Sequence, residues 1–254
     1  MNKIALITGA TSGIGKAIAV QLAEQNYNLI ITGRRKERLE NLVTEIKDKF
    51  NCKIKTLNFD IRNKQEVDEA IDSLGKYWKN IDVLVNNAGL AAGAEPIHDG
   101  LVDDWERMID TNIKGLLYIS KKVMPLMIER KTGHIVNIGS VAGKQVYANG
   151  NVYCGTKQAV DAITQGMRID LLPYNIKVTQ IAPGAVETEF SVVRFHGDKD
   201  KAKQVYKGFE PLYANDIAEA VIFAVTRPAH VNINDMLIMP TAQASPYYLE
   251  RENE

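Results

Sequence analysis

Thr8-Gly9-Ala10-Thr11-Ser12-Gly13-Ile14-Gly15 stands between an apolar run, Ile4-Ala5-Leu6-Ile7, and a stretch whose residues Ile14, Ile18 and Leu22 recur at helical spacing. That order describes a strand leading through a glycine turn into a helix. Gly9 permits a tight turn, Gly13 lets backbone approach a pyrophosphate with no Cβ in the way, and Gly15 lets the helix pack close to the strand. The free N–H groups and positive dipole end of the helix would then face the phosphates. The spacing is G-x-x-x-G-x-G, not the G-x-G-x-x-G of the familiar dinucleotide fingerprint, and a sharp turn alone could explain the glycines. Their position between the first strand and the first helix favours dinucleotide binding. Gly9, Thr11, Ser12, Gly13, Ile14 and Gly15 are the candidate contacts.

The alternation continues along the chain. Short, mostly apolar runs occur at 29–32, 53–57, 83–85, 134–138, 177–181 and 236–239. Such runs suit strands buried on both faces of a parallel sheet. Residues 13–26, 35–50, 63–78, 102–130, 152–173 and 215–227 read as helices, on faces such as Leu39, Leu42, Ile46 and Val67, Ile71, Leu74. The class is α/β: one Rossmann-type domain over 1–254, with a doubly wound parallel sheet of about seven strands and helices on both faces. Segment 190–212, charged at Asp198-Lys199-Asp200-Lys201, breaks the alternation and reads as a helical excursion over the carboxyl edge of the sheet. Glu250 to Glu254 read as a frayed end.

A chain of 254 residues can bury roughly 70–75% of its unfolded surface and needs no disulfide or metal staple. Its 45% apolar and 24% charged residues exclude a fibrous or disordered polymer. Lys plus Arg, 31, and Asp plus Glu, 31, cancel. No global field therefore attracts nucleic acid or an anionic membrane, and any anion site must be local. Cys52 and Cys154 show neither a pairing framework nor C-x-x-C spacing. His98, His134, His196 and His230 lack ligand spacing too, so no metal is expected. The first apolar run is too short for a signal segment, and no run approaches a membrane span. A soluble, cytoplasmic protein is the expectation. Trp78 and Trp105 read as core or oligomer packing.

The end of the second strand reads Thr32-Gly33-Arg34-Arg35, with no acid to accept a ribose 2′-OH. Two guanidiniums attract a 2′-phosphate, which favours NADP. Cations are unfavourable at a helix N-terminus, so a missing anion would explain Arg34 and Arg35 there. Asp60 is a candidate acceptor for the adenine amino group or, equally, a turn or N-cap residue; Ile61 joins the cofactor candidates. Tyr153 and Lys157 are four apart and share a helix face. An ammonium near a phenol stabilises phenolate and lowers the tyrosine pKa, so that Tyr153 could pass a proton near neutral pH. Ser140 follows the strand 134–138, where its hydroxyl would lie in the crevice in which doubly wound proteins bind ligands.

Together with Asn86-Asn87-Ala88-Gly89, with Asn112 in Thr111-Asn112-Ile113-Lys114-Gly115, and with Pro183-Gly184, these motifs resemble the short-chain dehydrogenases/reductases along essentially the whole chain. The resemblance implies a nicotinamide cofactor, no metal and a homotetramer. It assigns Tyr153 as proton donor or acceptor, and Lys157 to the ribose hydroxyls and to lowering the Tyr153 pKa. It gives Ser140 the substrate carbonyl and Asn112 the water of a proton relay. Asn87, Ala88 and Gly89 would border the cofactor, while Pro183, Gly184, Val186 and Thr188 would frame the nicotinamide. One oligomer interface would come from helices 102–130 and 152–173, another from the last strand.

Gly33-Arg34-Arg35, Asn86 to Ala91, Asp110 to Leu116, Gly150 to Cys154 and Val186 to Ser191 are similar to the NADP-dependent 3-hydroxy acid dehydrogenase branch, which includes serine and L-allo-threonine dehydrogenases. Gly155 stands where that branch more often has alanine, and Tyr247-Tyr248-Leu249 aligns with nothing in it. The similarity implies reversible hydride transfer at the 3-carbon of a small hydroxy acid or hydroxy amino acid. Arg194 is the candidate clamp for the substrate carboxylate, or else an exposed helix arginine. A reductase of 3-oxoacyl-carrier-protein, a steroid or a ketone is the alternative. Lys199, Lys201 and Lys203, interleaved with Asp198 and Asp200, support a carrier-protein surface poorly. A non-catalytic NADP-binding regulatory protein is the third reading, opposed by the complete set Asn112, Ser140, Tyr153 and Lys157.

Overall fold

The computed structural model describes residues 2–252. Its main sheet has seven parallel strands: β1 Ile4–Ile7, β2 Asn28–Gly33, β3 Ile54–Asn58, β4 Ile81–Asn86, β5 Gly133–Ile138, β6 Ile176–Pro183 and, last along the chain, β9 Asp235–Ile238. Their order across the sheet is β3-β2-β1-β4-β5-β6-β9. The apolar runs give these strands because side chains alternate between two buried faces. Ala5, Ile7, Leu29, Ile31 and Val85 face a layer formed by α1 Gly13–Glu24, α2 Lys36–Lys47 and α9 Ala214–Val225. Ile4, Leu6, Ile30, Leu84 and Ile135 face α3 Lys64–Asp72, α5 Leu116–Arg130 and α6 Asn151–Leu171. The chain leaves β1 for β2 on one side and returns to β4 on the other. The carboxyl ends of β1 and β4 thus splay apart and open the crevice where ligands bind in such sheets.

Four regions differ from the sequence reading. The helix expected at 102–130 is α4 Val102–Ile109, a π-helical turn Asp110–Gly115 and then α5. The helix expected to run to residue 78 ends at Asp72; at its start the Asn63 side chain accepts from the N–H groups of Gln65 and Glu66. The excursion is helical at α7 Glu189–Arg194 and α8 Lys199–Gln204, and its two ends are joined by a small parallel sheet of β7 Val186–Glu187, just before it, and β8 Leu212–Tyr213. Glu250 to Glu252 are not frayed. The Glu250 N–H donates to Ala242 O at 2.9 Å and the Glu252 N–H to Gly208 O at 2.7 Å. The remainder of that expected end, Asn253 and Glu254, lies outside the described residues.

Trp78 and Trp105 are half-buried against the second core layer and the active-site cluster respectively. Cys52 and Cys154 are free thiols. Among the described residues no helix is long and apolar enough to cross a membrane.

Candidate active site

The glycine turn is shaped by close approach. Gly9 adopts φ +66°, and a Cβ there would meet Ala88 Cα at 2.9 Å; a Cβ on Gly15 would fall 2.4 Å from both Gly9 O and Asn87 Nδ2. Asn87 knits the two strand ends together, its Nδ2 donating to Thr8 O at 2.9 Å and Gly9 O at 3.2 Å. Ser12, at the N-cap of α1, makes no side-chain capping bond, and no acid stands in the first turn. The first N–H groups of α1 are left for an external acceptor. A cavity of about 490 Å³ runs from this turn over the carboxyl ends of the strands. Its lining includes Gly9, Thr11, Ser12, Gly13, Ile14, Arg34, Arg35, Asp60, Ile61, Asn87, Ala88 and Gly89 toward the turn. Ser140, Tyr153, Lys157, Pro183, Gly184, Val186, Thr188 and Arg194 line it toward the other end. Of the predicted site residues, Gly15 packs beneath the turn and Asn112 sits behind the wall; the structure brings the rest to one surface.

At the β2 end, Arg34 lies 3.7 Å from Asp60 Oδ2. Arg62 holds the same carboxylate through Nε at 3.0 Å and Nη2 at 2.6 Å, and donates its backbone N–H to it at 3.0 Å. Burial opposes ionisation of Asp60, but Arg62 outweighs it and the carboxyl stays below the usual range. Asp60 is therefore a turn residue clamped by Arg62 that still lines the cavity. Arg35 reaches over the turn to Thr11 Oγ1 at 2.8 Å and Ser12 Oγ at 2.8 Å.

At the other end, α6 presents Tyr153 and Lys157 from successive turns, both buried. The Tyr153 phenol and the Ser140 hydroxyl line the same cavity, and Ser140 favours the phenolate. Ser140 sits at the end of β5, at the N-cap of a short 3-10 turn, and its Oγ accepts the Ala142 N–H at 3.1 Å. Lys157 Nζ donates to Ile138 O at 2.9 Å and stands 6.0 Å from the centre of the Tyr153 ring. The electrostatics depart from expectation. Burial, reinforced by Tyr147, pushes the Tyr153 phenol above its ordinary pKa, and the Ser140 hydroxyl and the Arg194 charge recover only part of the shift. Lys157 does not lower it within the polypeptide, because burial takes the ammonium's own pKa down to about 8.

The Asn112 side chain is engaged by the protein itself. Its Oδ1 accepts the Leu90 N–H at 2.9 Å, and its Nδ2 donates to Leu90 O at 2.8 Å and Thr156 Oγ1 at 3.0 Å. The side chain is spent on clamping the loop after β4 to α6, which leaves little of it to hold a water. The π-helical turn aims it there; such turns often mark functional positions.

Arg194 is not an exposed helix arginine. It is half-buried, its Nε donates to Gly93 O at 3.2 Å and its Nη1 to Tyr147 Oη at 3.0 Å. Nη2 makes no hydrogen bond among the described residues, and Arg194 lines the cavity. Phe190 packs edge-on to Tyr153, with ring centres 5.7 Å apart. Tyr147, Phe190, Leu90 and Glu189 are among the site residues that sequence reasoning missed. Leu90, Glu189 and Phe190 adjoin the predicted Gly89 and Thr188, but no spacing marks which neighbour turns into the cavity.

A family model described as short chain dehydrogenase matches residues 3–198. The chain is 49% identical over 242 residues to the NADP-dependent 3-hydroxy acid dehydrogenase of Salmonella typhi, covering 95% of this chain and 96% of that protein. It is 43% identical over 254 residues to sulfoacetaldehyde reductase 2 of Chromohalobacter salexigens, covering 99% and 100%. A serine dehydrogenase solved in its closed form complexed with NADP+ matches with a TM-score of 0.91 at 46% identity, covering 99% of this chain and 100% of that one.

Proposed function

The chain belongs to the short-chain dehydrogenases, and on that premise we propose that it catalyses reversible, NADP-dependent hydride transfer at the 3-hydroxyl of a small hydroxy acid or hydroxy amino acid. The observation that carries this reading is the anchored Arg194, held by Gly93 and Tyr147 in the same cavity as Ser140, Tyr153 and Lys157. The dinucleotide fits the residues present. The turn is kept clear of Cβ atoms, α1 offers unspent N–H groups, and Arg34 and Arg35 stand at the end of β2 where a 2′-phosphate is read. The nicotinamide, when bound, supplies the carbon that accepts or returns the hydride.

The protein's own groups handle the proton and the charge. Tyr153 as phenolate takes the hydroxyl proton in oxidation, and as phenol returns it in reduction. Ser140, which lines the cavity beside that phenol, holds the substrate oxygen as its charge changes. Lys157, brought by burial to a pKa of about 8, can exchange a proton near neutral pH next to Tyr153. Asn112 positions the loop of Gly89 and Leu90 against the cofactor. Arg194 takes the substrate's acid group.

An arginine clamp does not distinguish a carboxylate from a sulfonate. Together with the sulfoacetaldehyde reductase similarity, this favours anionic aldehydes as a second substrate class. The exposed side chains of Ile169 on α6, of Leu172 just after it and of Leu237 on β9 support a homotetramer.

A spectrophotometric panel tests the reading. L-serine, L-allo-threonine, 3-hydroxypropionate and 3-hydroxyisobutyrate should be oxidised with NADP in preference to NAD. Replacing Arg194 by Ala should raise KM for these acids by roughly 10–100-fold, the worth of a hydrogen bond to a charged group, and leave uncharged alcohols nearly unaffected. Equal changes for acids and alcohols would remove Arg194 from the substrate site.

A further inference from the structure

Sequence next to β2 contains no acid, yet the structure delivers one there from a distant segment. Glu189, the first residue of α7, accepts from Arg38 Nη1 through both carboxylate oxygens at 2.8 Å and from Arg35 Nη1 at 3.1 Å. The rest of the Arg35 guanidinium is also occupied. Counting Glu189, it makes four hydrogen bonds to three protein acceptors, the others being Thr11 Oγ1 and Ser12 Oγ. A guanidinium has five N–H donors, so little of Arg35 is left for another anion. Arg38 and Arg35 keep the Glu189 carboxyl below the usual carboxylate range, so the group stays ionised at neutral pH. A carboxylate and a phosphate seek the same planar fork of donors.

The segment carrying Glu189 is tied to both ends of the cavity. Thr188 lies against Gly13, where a Cβ would come within 3.3 Å of it. At the far end of this six-residue helix Arg194 is hydrogen-bonded to Gly93 and Tyr147, and between them Phe190 packs on Tyr153.

We propose that Glu189 is a specificity-determining residue for the cofactor, its carboxylate competing with the 2′-phosphate of the dinucleotide for Arg35 and Arg38. The proposal rests on the NADP-binding reading above. On this account the enzyme carries its own counter-anion, which weakens binding of the phosphorylated cofactor and leaves the unphosphorylated one untouched. Because the guanidiniums and the carboxylate are each about half exposed, the effect is that of a surface ion pair, a factor of roughly three to ten in affinity.

Calorimetric titration of the full-length protein with adenosine 2′,5′-bisphosphate and with 5′-AMP tests this without turnover. Glu189→Gln should bind the bisphosphate roughly fivefold tighter than wild type, with 5′-AMP unchanged. Glu189→Ala should do the same and serves as the second variant should the glutamine protein fold poorly. If both variants bind the bisphosphate no tighter than wild type, or tighten on 5′-AMP equally, competition for the 2′-phosphate is ruled out while the NADP reading stands. A wild-type protein that does not prefer the bisphosphate over 5′-AMP overturns both.

Discussion

Tyr153 and Lys157 are adjacent buried groups whose charged forms are both disfavoured by burial. Lowering the one pKa and raising the other brings a neutral phenol and a readily deprotonated amine into one site. A phenol with no general acid or base to replace it is the premise of the chemistry, and Tyr153→Phe tests it by removing one oxygen. Single-turnover NADPH oxidation should slow by roughly 10²–10⁴-fold, while NADPH binding, followed by its fluorescence, stays near wild type. Lys157 gives a separate pH test, because its folded pKa of about 8 lies below the value near 10.4 of an unfolded lysine. Below about 8 both states hold the proton and the native state bears the full cost of a buried charge. As pH rises from there to about 10.4, the unfolded chain holds a proton that the folded one has released, so unfolding free energy increases with pH. The shift is on the order of 2–3 kcal/mol over the window. Lys157→Met has no such titration. Its urea midpoint relative to wild type should therefore fall between pH 7 and pH 10, and a constant difference would show that Lys157 is not buried in its charged form.

Single helices show why some of the site is legible from sequence and some is not. The pair Tyr153 and Lys157 is readable because four residues is one turn of α6, and the glycine turn because strand, glycines and helix are contiguous. The π-helical turn at Asp110–Gly115 leaves no such trace. Its apolar residues keep near-helical spacing through one widened turn, so 102–130 reads as one helix. The acid at the Arg35 and Arg38 pair is separated from them by 154 and 151 residues and follows no period. Only the tertiary fold, returning the chain after β6 across the carboxyl edge, brings it there. Gly155 is the converse case, a local anomaly whose meaning is local. It is an exposed glycine inside α6, and a Cβ placed on it meets nothing within 4 Å. Alanine there should lower the entropy of the unfolded chain and gain about 0.5–1 kcal/mol. For a chain of this size that is a rise in Tm of roughly 1–4 °C. A lower Tm in a calorimetric scan would mean that the glycine serves a backbone conformation that the geometry of α6 does not reveal.

The two edges of the seven-stranded sheet are chemically unlike, and this asymmetry bears on how whole molecules meet. β3 ends one side with Lys55, Thr56 and Asn58 exposed, polar residues of the kind that discourage a further strand. β9 ends the other side with Met236, Leu237 and Ile238, of which Leu237 is 49% exposed. An unpaired strand edge beside exposed apolar side chains invites pairing with a second copy. At the end of α6 a second such patch carries Ile169 at 72% exposure and, just past the helix, Leu172 at 74%. The homotetramer proposed above needs two distinct self-complementary faces, whereas one alone gives a dimer. Wild-type protein should therefore run by light scattering at about four times the 28.3 kDa of the chain. Leu237→Glu places a charge on the β9 face without touching either core layer, so the folded chain should survive it. Breaking that face alone leaves the α6 pairing intact, and the particle should fall to half the wild-type mass, with the melting temperature becoming dependent on protein concentration. An unchanged mass would take β9 out of the assembly, and a fall to single chains would show that the α6 face cannot hold two copies by itself.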